Sequence, residues 1–228
     1  MNFSIRILQT NANSQFDLLK IYSKDMEESI KSQATLFANR VTELAAKYEG
    51  EDQAMVWDEN RERYFQLHST YPNLLRSSIL SSALTELEMV IGKIRNELIE
   101  NTDLNIVSLQ NKQLKGAELQ KAIQSILNAI SVNPRLKLEF WRQLQFIIEV
   151  RNRVIHSGGQ IHPVDYKDLY ITIMAIEDMN DKHIGLSYYH EVELLENFPT
   201  FVLDVCNSVL NQTVEELFKY QDKKRAPE

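Results

Sequence analysis

The chain is poor in residues that break or cross-link a fold. Among its 228 residues are six glycines, five prolines and one cysteine, Cys206. So few breakers, in a sequence dominated by Leu, Ile, Glu, Lys, Gln and Asn, favour helices over sheet. A lone cysteine excludes an internal disulfide framework. It lies in Phe-Val-Leu-Asp-Val-Cys-Asn-Ser-Val-Leu with no base beside it, and reads as a small hydrophobe filling a helix core position. No stretch approaches the roughly 20 apolar residues of a membrane span. The opening Met-Asn-Phe-Ser-Ile-Arg-Ile-Leu-Gln also lacks the apolar region of a signal peptide, so a cytoplasmic protein without a membrane partner is expected. Positive charge is in short supply too. With 25 basic and 32 acidic residues the net charge is −7, which argues against a general nucleic-acid coat.

Other absences narrow the chemistry. The five histidines show no zinc-protease spacing and no cysteine pair accompanies them, so no metal and no other cofactor is expected. His183 and His190 read as surface residues of a loop. Ser157-Gly158-Gly159 lacks the lysine and preceding strand of a phosphate loop. Trp57, Trp141 and the tyrosines are scattered without the pattern of a stacking platform. There is no internal repeat and no low-complexity tract.

What remains is helical punctuation. Residues 14–48 read as one long helix, capped by Asn13-Ser14 and stopped by Gly50, and the first dozen residues as a strand or extended arm. Residues 57–67 suggest a second helix, interrupted at Tyr71-Pro72, where proline opens a third running to Glu100. Within that third helix Glu86 and Glu88 read as exposed. Residues 101–115 look like a loop. A helix from Gly116 to Ile130 follows and ends before Asn133-Pro134. The next helix spans 135–156, another starts at Pro163, and 184–195 fits a short hairpin or an extended loop. Asn197-Phe198-Pro199 caps a last helix to Tyr220, and residues 221–228 are expected to fray. The fold class is therefore all-α, with an N-terminal elaboration over 1–68 and a main helical domain over 69–220.

The densest signal is Phe-Ile-Ile-Glu-Val-Arg-Asn-Arg-Val-Ile-His-Ser-Gly-Gly at 146–159. Phe140, Leu144, Ile147, Ile148, Val154 and Ile155 recur at helical spacing and predict a largely buried helix. Its last turn carries Arg151, Asn152, Arg153 and His156, and Gly158-Gly159 ends it. Arginine and histidine are costly on a packed helix unless they face a cleft or find partners. A planar guanidinium suits phosphate, and histidine as a class exchanges a proton near neutral pH. Between residues 135 and 153, Arg135, Lys137, Arg142, Arg151 and Arg153 stand against Glu139 and Glu149, a local +3 on an acidic chain. Arg142 and Arg153 are thus candidate substrate contacts. The competing reading is structural: Arg151 and Asn152 cap or bridge helices, and His156 simply suits a helix C-terminus.

Arg151, Asn152 and His156, with four residues between arginine and histidine, resemble the signature of the HEPN family (higher eukaryotes and prokaryotes nucleotide-binding domain). The stretch Arg-Asn-Arg-Val-Ile-His-Ser-Gly-Gly is similar to the form common in bacterial members, and neighbouring helices extend the likeness by pattern over about 70–217. The resemblance implies a HEPN-like helical bundle with the N-terminal helix as an addition. It also implies a metal-independent endoribonuclease that leaves a 2′,3′-cyclic phosphate and a 5′-hydroxyl. Arg151, Asn152 and His156 would be catalytic and RNA the substrate. It further implies a homodimer with two motifs in one cleft, and a toxin or antiviral-defence role beside a nucleotidyltransferase-type antitoxin or other defence partner. The alternatives within the family are a non-catalytic nucleotide-binding or interaction module, or a subunit inert outside a larger complex. The same spacing recurs at Arg63 and His68, in a charged stretch with no adjoining core run and no glycine stop, which predicts a solvated face there.

Overall fold

A computed structural model describes residues 2–101, 117–130, 138–177 and 182–225. The helices are α1 (Asn2–Ala45), α2 (Glu51–Phe65), α3 (Tyr71–Asn101), α4 (Glu118–Ala129), α5 (Leu138–Ser157), α6 (Lys167–Glu177) and α7 (Phe198–Arg225). Strands β1 (Ile184–Leu186) and β2 (Val192–Leu194) form an antiparallel hairpin between α6 and α7. The all-α expectation holds, and 184–195 takes the hairpin form. No described helix is long and apolar enough to cross a membrane.

α1 runs twelve residues further toward the N-terminus than the cap at Asn13-Ser14 suggested. Ile5, Ala12, Phe16, Ser23, Glu27, Ile30, Ala34, Val41 and Ala45 are buried at spacings of seven, four and three, a seam that keeps one face on α3 and α7. Asn13 does not cap. Its Nδ2 donates to Asn211 Oδ1 at 3.1 Å, as does Gln9 Nε2 at 2.7 Å, so amides on α1 tie to α7. Burial of Ile5 and of the Asn13–Asn211 pairing across the seam outweighs the local capping preference. Of these α1 residues, Ile5, Ala12, Phe16 and Ile30 belong to the same hydrophobic cluster as Leu80, Leu87, Ile91, Ile123, Ile147, Val209 and Leu217.

Pro72 does not interrupt the helical path. Between α2 and α3, Gln66–Thr70 forms a π-turn in which the Tyr71 N–H reaches the Gln66 carbonyl, five residues back. Proline lacks an N–H and its ring crowds the carbonyl four residues earlier; the wider turn relieves that crowding without ending the helix. α2 itself buries nothing fully. Pro163 likewise opens a turn, with Tyr166 N–H bonded to the His162 carbonyl at 3.0 Å, and α6 begins only at Lys167. Residues 221–225, expected to fray, continue α7. The predicted loop at 101–115 falls, past Asn101, outside the described residues, as do Gly116 and Asn133-Pro134.

One buried ion pair locks the hairpin to the bundle. Glu27 on α1 is 4% exposed and receives both Nε (2.5 Å) and Nη2 (2.9 Å) of Arg76 on α3. The remaining Arg76 Nη1 donates to the Leu194 carbonyl of β2 at 2.7 Å. Charges this far from water need such complete partnering. Cys206 fills the core as expected, and burial pushes its thiol pKa well up.

Candidate functional site

α5 is anchored by Leu144, Ile147 and Val150, each fully buried at a spacing of three. The polar run Arg151, Asn152 and Arg153 follows directly, half-buried, and His156 is exposed in the last turn. Gly158 (φ 60°) and Gly159 (φ 86°) both adopt left-handed backbone that side chains resist. The Gly159 N–H returns to the Arg153 carbonyl at 3.0 Å, satisfying an otherwise open helix end. The Gly159 carbonyl then accepts from Val192 N–H at 2.9 Å, and Ile161 N–H donates to the His190 carbonyl at 2.9 Å. The glycine stop thus staples the motif helix to the hairpin.

Arg151 lines a pocket of about 220 Å³ with Thr85 and Glu88 of α3, Glu118 of α4, and Asn152. Its Nη1 donates to Asn152 Oδ1 at a long 3.4 Å, and its buried Nε has no hydrogen-bond partner. Asn152 therefore pairs with Arg151 in this state. Among the described residues His156 makes no hydrogen bond or ion pair, so Asn152 does not orient the imidazole here. Glu88 is exposed, as expected, and stands at the pocket's edge. Glu118 is held below the ordinary carboxylate pKa, first by its hydrogen bond from Lys121 and then by that ammonium's charge.

The helix separates the site residues by angle. At about 100° and 1.5 Å per residue, His156 points some 140° away from Arg151 but within about 60° of Arg153. The Arg153 guanidinium lies over the Tyr166 ring at 4.1 Å, and its buried Nε also has no partner. Beside it, desolvation raises the Glu149 carboxyl pKa; Arg153 opposes the shift and Asp168 adds to it. Arg142 is exposed, about 13 Å up the helix from Arg151 and on the opposite side. The structure brings Arg151 and Asn152 to one pocket and leaves Arg142 apart, while on helix geometry His156 points within about 40° of Asn152 and about 60° of Arg153. Arg135 and Lys137 of the local +3 segment lie outside the described residues.

The other Arg-x4-His copy is solvated, as expected. Arg63 is exposed and donates to Tyr71 Oη at 2.7 Å and Gln66 Oε1 at 3.2 Å, while exposed His68 packs on Tyr64 at 4.1 Å. His183 is not the surface residue expected of a loop. It is half-buried and stacked on Phe201 at 4.1 Å, because β1 draws it toward α7. His190 is exposed at φ 58°, edge-on to Tyr170.

Sequence reasoning missed a groove of about 730 Å³ beside the glycine stop. Phe65, Asn73 and Leu74, Gly158 and Gly159, and the hairpin residues Ser187, Tyr188, Tyr189 and Glu191 to Leu194 form its walls. The exposed Tyr188-Tyr189 pair was its one local signal. Among known proteins, no family model, curated protein or solved structure matches this chain.

Proposed function

We propose that the chain is a HEPN-type, metal-independent endoribonuclease acting as a homodimer. The observation that carries this reading is the end of α5. An unencumbered, exposed imidazole sits one turn beyond an arginine whose guanidinium retains an unpartnered Nε. RNA cleavage of this class needs a base for the 2′-OH proton, a cation for the phosphorane oxygens and an acid for the departing 5′-oxygen. His156 supplies proton transfer and Arg151 the fork that holds two phosphate oxygens. Asn152 releases Arg151 to bind a phosphate oxygen itself, and Arg153 steers the strand.

The angular separation of Arg151 and His156 supports a composite cleft. One chain offers one imidazole, and a twofold mate meeting it at the helix end brings the second, so that base and acid come from different protomers. The same reading carries the expectations of a toxin or defence setting, a nucleotidyltransferase-type antitoxin and a cytoplasmic location. Of the non-catalytic readings, a nucleotide-binding module or an interaction module, the interaction module is favoured by one observation. Glu88 and Glu118 edge Arg151's pocket and disfavour a polyanion there.

End-group analysis of cleaved RNA in EDTA distinguishes the two. The nuclease reading expects strand scission with a cyclic phosphate upstream and a 5′-hydroxyl downstream. A strict need for magnesium, or a 5′-phosphate product, overturns it; no scission supports the interaction module. For the composite cleft, light scattering must report a dimer. A chain that stays monomeric while cleaving at full rate removes the need for a mate.

A further inference from the structure

The groove beside the glycine stop is unlike an RNA surface. Its described lining includes the carboxylates Glu191 and Glu193 and no lysine or arginine. Glu191 is fixed by a 2.6 Å hydrogen bond from Gln160 Nε2, and Glu193 makes no ion pair among the described residues. Above it stand Tyr188 and Tyr189, 92% and 72% exposed, their rings edge-to-face at 5.3 Å. Phe65 and Leu74, 62% and 61% exposed, supply an apolar wall across from them.

The turn that displays the tyrosines is held rather than loose. Ser187 Oγ accepts from the Tyr189 and Glu191 N–H groups at 3.2 and 3.1 Å, and Ser187 N–H donates to the Glu191 carbonyl at 2.8 Å. His190 takes a left-handed conformation to close the turn. A non-glycine residue is held there only where its surroundings over-determine it. Fixing two aromatic rings in water beforehand lowers the ordering cost of a later contact.

From this combination we propose that the groove docks a short cationic segment of a partner protein. An arginine or lysine head group is held by the Tyr188 and Tyr189 rings and the Glu191 and Glu193 carboxylates, and its aliphatic stem or an adjacent apolar side chain covers Phe65 and Leu74. Cations are drawn to aromatic faces and carboxylates together, and long basic side chains bury their stems on apolar surface. A nucleic-acid strand is disfavoured because its phosphates would meet two carboxylates with no basic residue in the lining. Gly158 and Gly159 form part of one wall, so the occupant sits within three residues of His156. The docking surface does not depend on RNA cleavage, and its test stands whatever the fate of the nuclease reading.

The probe is a fluorescein-labelled peptide, acetyl-Gly-Arg-Leu-Arg-Gly-amide, followed by polarisation with the full chain. Saturable binding is expected, weakened by salt and absent for the glutamine-for-arginine peptide. Paired Glu191→Gln and Glu193→Gln changes should weaken it about three- to tenfold, the worth of two exposed ion pairs, and paired Tyr188→Ala and Tyr189→Ala changes by a similar factor, the worth of two cation–π contacts. Tyr188→Phe with Tyr189→Phe should restore it, and the remote Glu43→Gln should leave it unchanged. Circular dichroism of every variant checks the fold, and the aromatic rescue separates ring loss from turn collapse. No saturable binding, or binding indifferent to the four groove residues, overturns the proposal. So does displacement of the peptide by an uncleavable 2′-O-methyl pentauridylate through those residues, which would make the groove an RNA site.

Discussion

The chain carries the arginine-x4-histidine spacing twice, and the fold treats the two copies differently. Arg63 and His68 sit on α2 and the π-turn after it, where no α2 residue is fully buried and both side chains find aromatic or amide neighbours at the surface. Arg151 and His156 sit on α5, a helix fixed by fully buried Leu144, Ile147 and Val150 and closed by two left-handed glycines. Spacing alone is shared. A rigid helix, a pocket for the arginine and a bare helix end for the histidine belong to the second copy only. A site built on rigid elements holds geometry that a solvated face does not.

The contrast can be broken most forcefully at the arginines. Arg151→Ala should cut RNA cleavage by about 10²–10³-fold, the usual cost of deleting one transition-state donor. Arg63→Ala should leave cleavage unchanged. Single-turnover rates with circular dichroism of each variant check this, and equal losses at both positions would erase the distinction.

Stability should divide a third arginine from the first. Arg76→Ala strands the Glu27 carboxylate in the core and should cost about 3–5 kcal/mol. Arg63→Ala, away from any buried partner, should stay within about 0.5 kcal/mol. Urea denaturation reads both. A small loss at Arg76 would mean that water reaches Glu27.

The glycine stop gives a smaller effect. Gly159→Ala forces a side chain into φ 86°, with its Cβ 3.4 Å from the Val192 nitrogen, and should destabilise by about 1–2 kcal/mol. The second copy would then lose its fixed helix end, and thermal melting with and without RNA would show it. Smallest is the pH effect at Glu149, whose folded pKa lies above the unfolded one. A raised carboxyl contributes stability below its unfolded pKa, near pH 4.3, which is lost as pH rises through the folded value. Glu149→Gln should therefore flatten the decline in melting temperature as pH rises above about 4. An unchanged slope would point to another group.

Much of the helical scaffold was legible because its signals are local. The glycine stop after His156, the apolar period of α5 and the burial of Cys206 all follow from neighbours within a turn or two. The start of α1 was not legible, since Asn13 resembles a cap and its actual partner, Asn211, lies 198 residues away. Pro72 resembled a break because the π-turn that accommodates it has no composition signature. Strands of three residues are too short for alternation to declare them. The site divides likewise. Arg151 and His156 stand out in sequence, whereas Glu88 and Glu118 at the pocket edge come from other helices. The groove is assembled from three separate segments.

On the proposed function, the fold and not the spacing makes one copy reactive. The most direct test is the single-turnover cleavage rate of one RNA substrate by His156→Ala and His68→Ala proteins, side by side in EDTA. Cleavage should disappear with His156→Ala and match the parent chain with His68→Ala. Undiminished cleavage by the His156→Ala chain would contradict the proposed function.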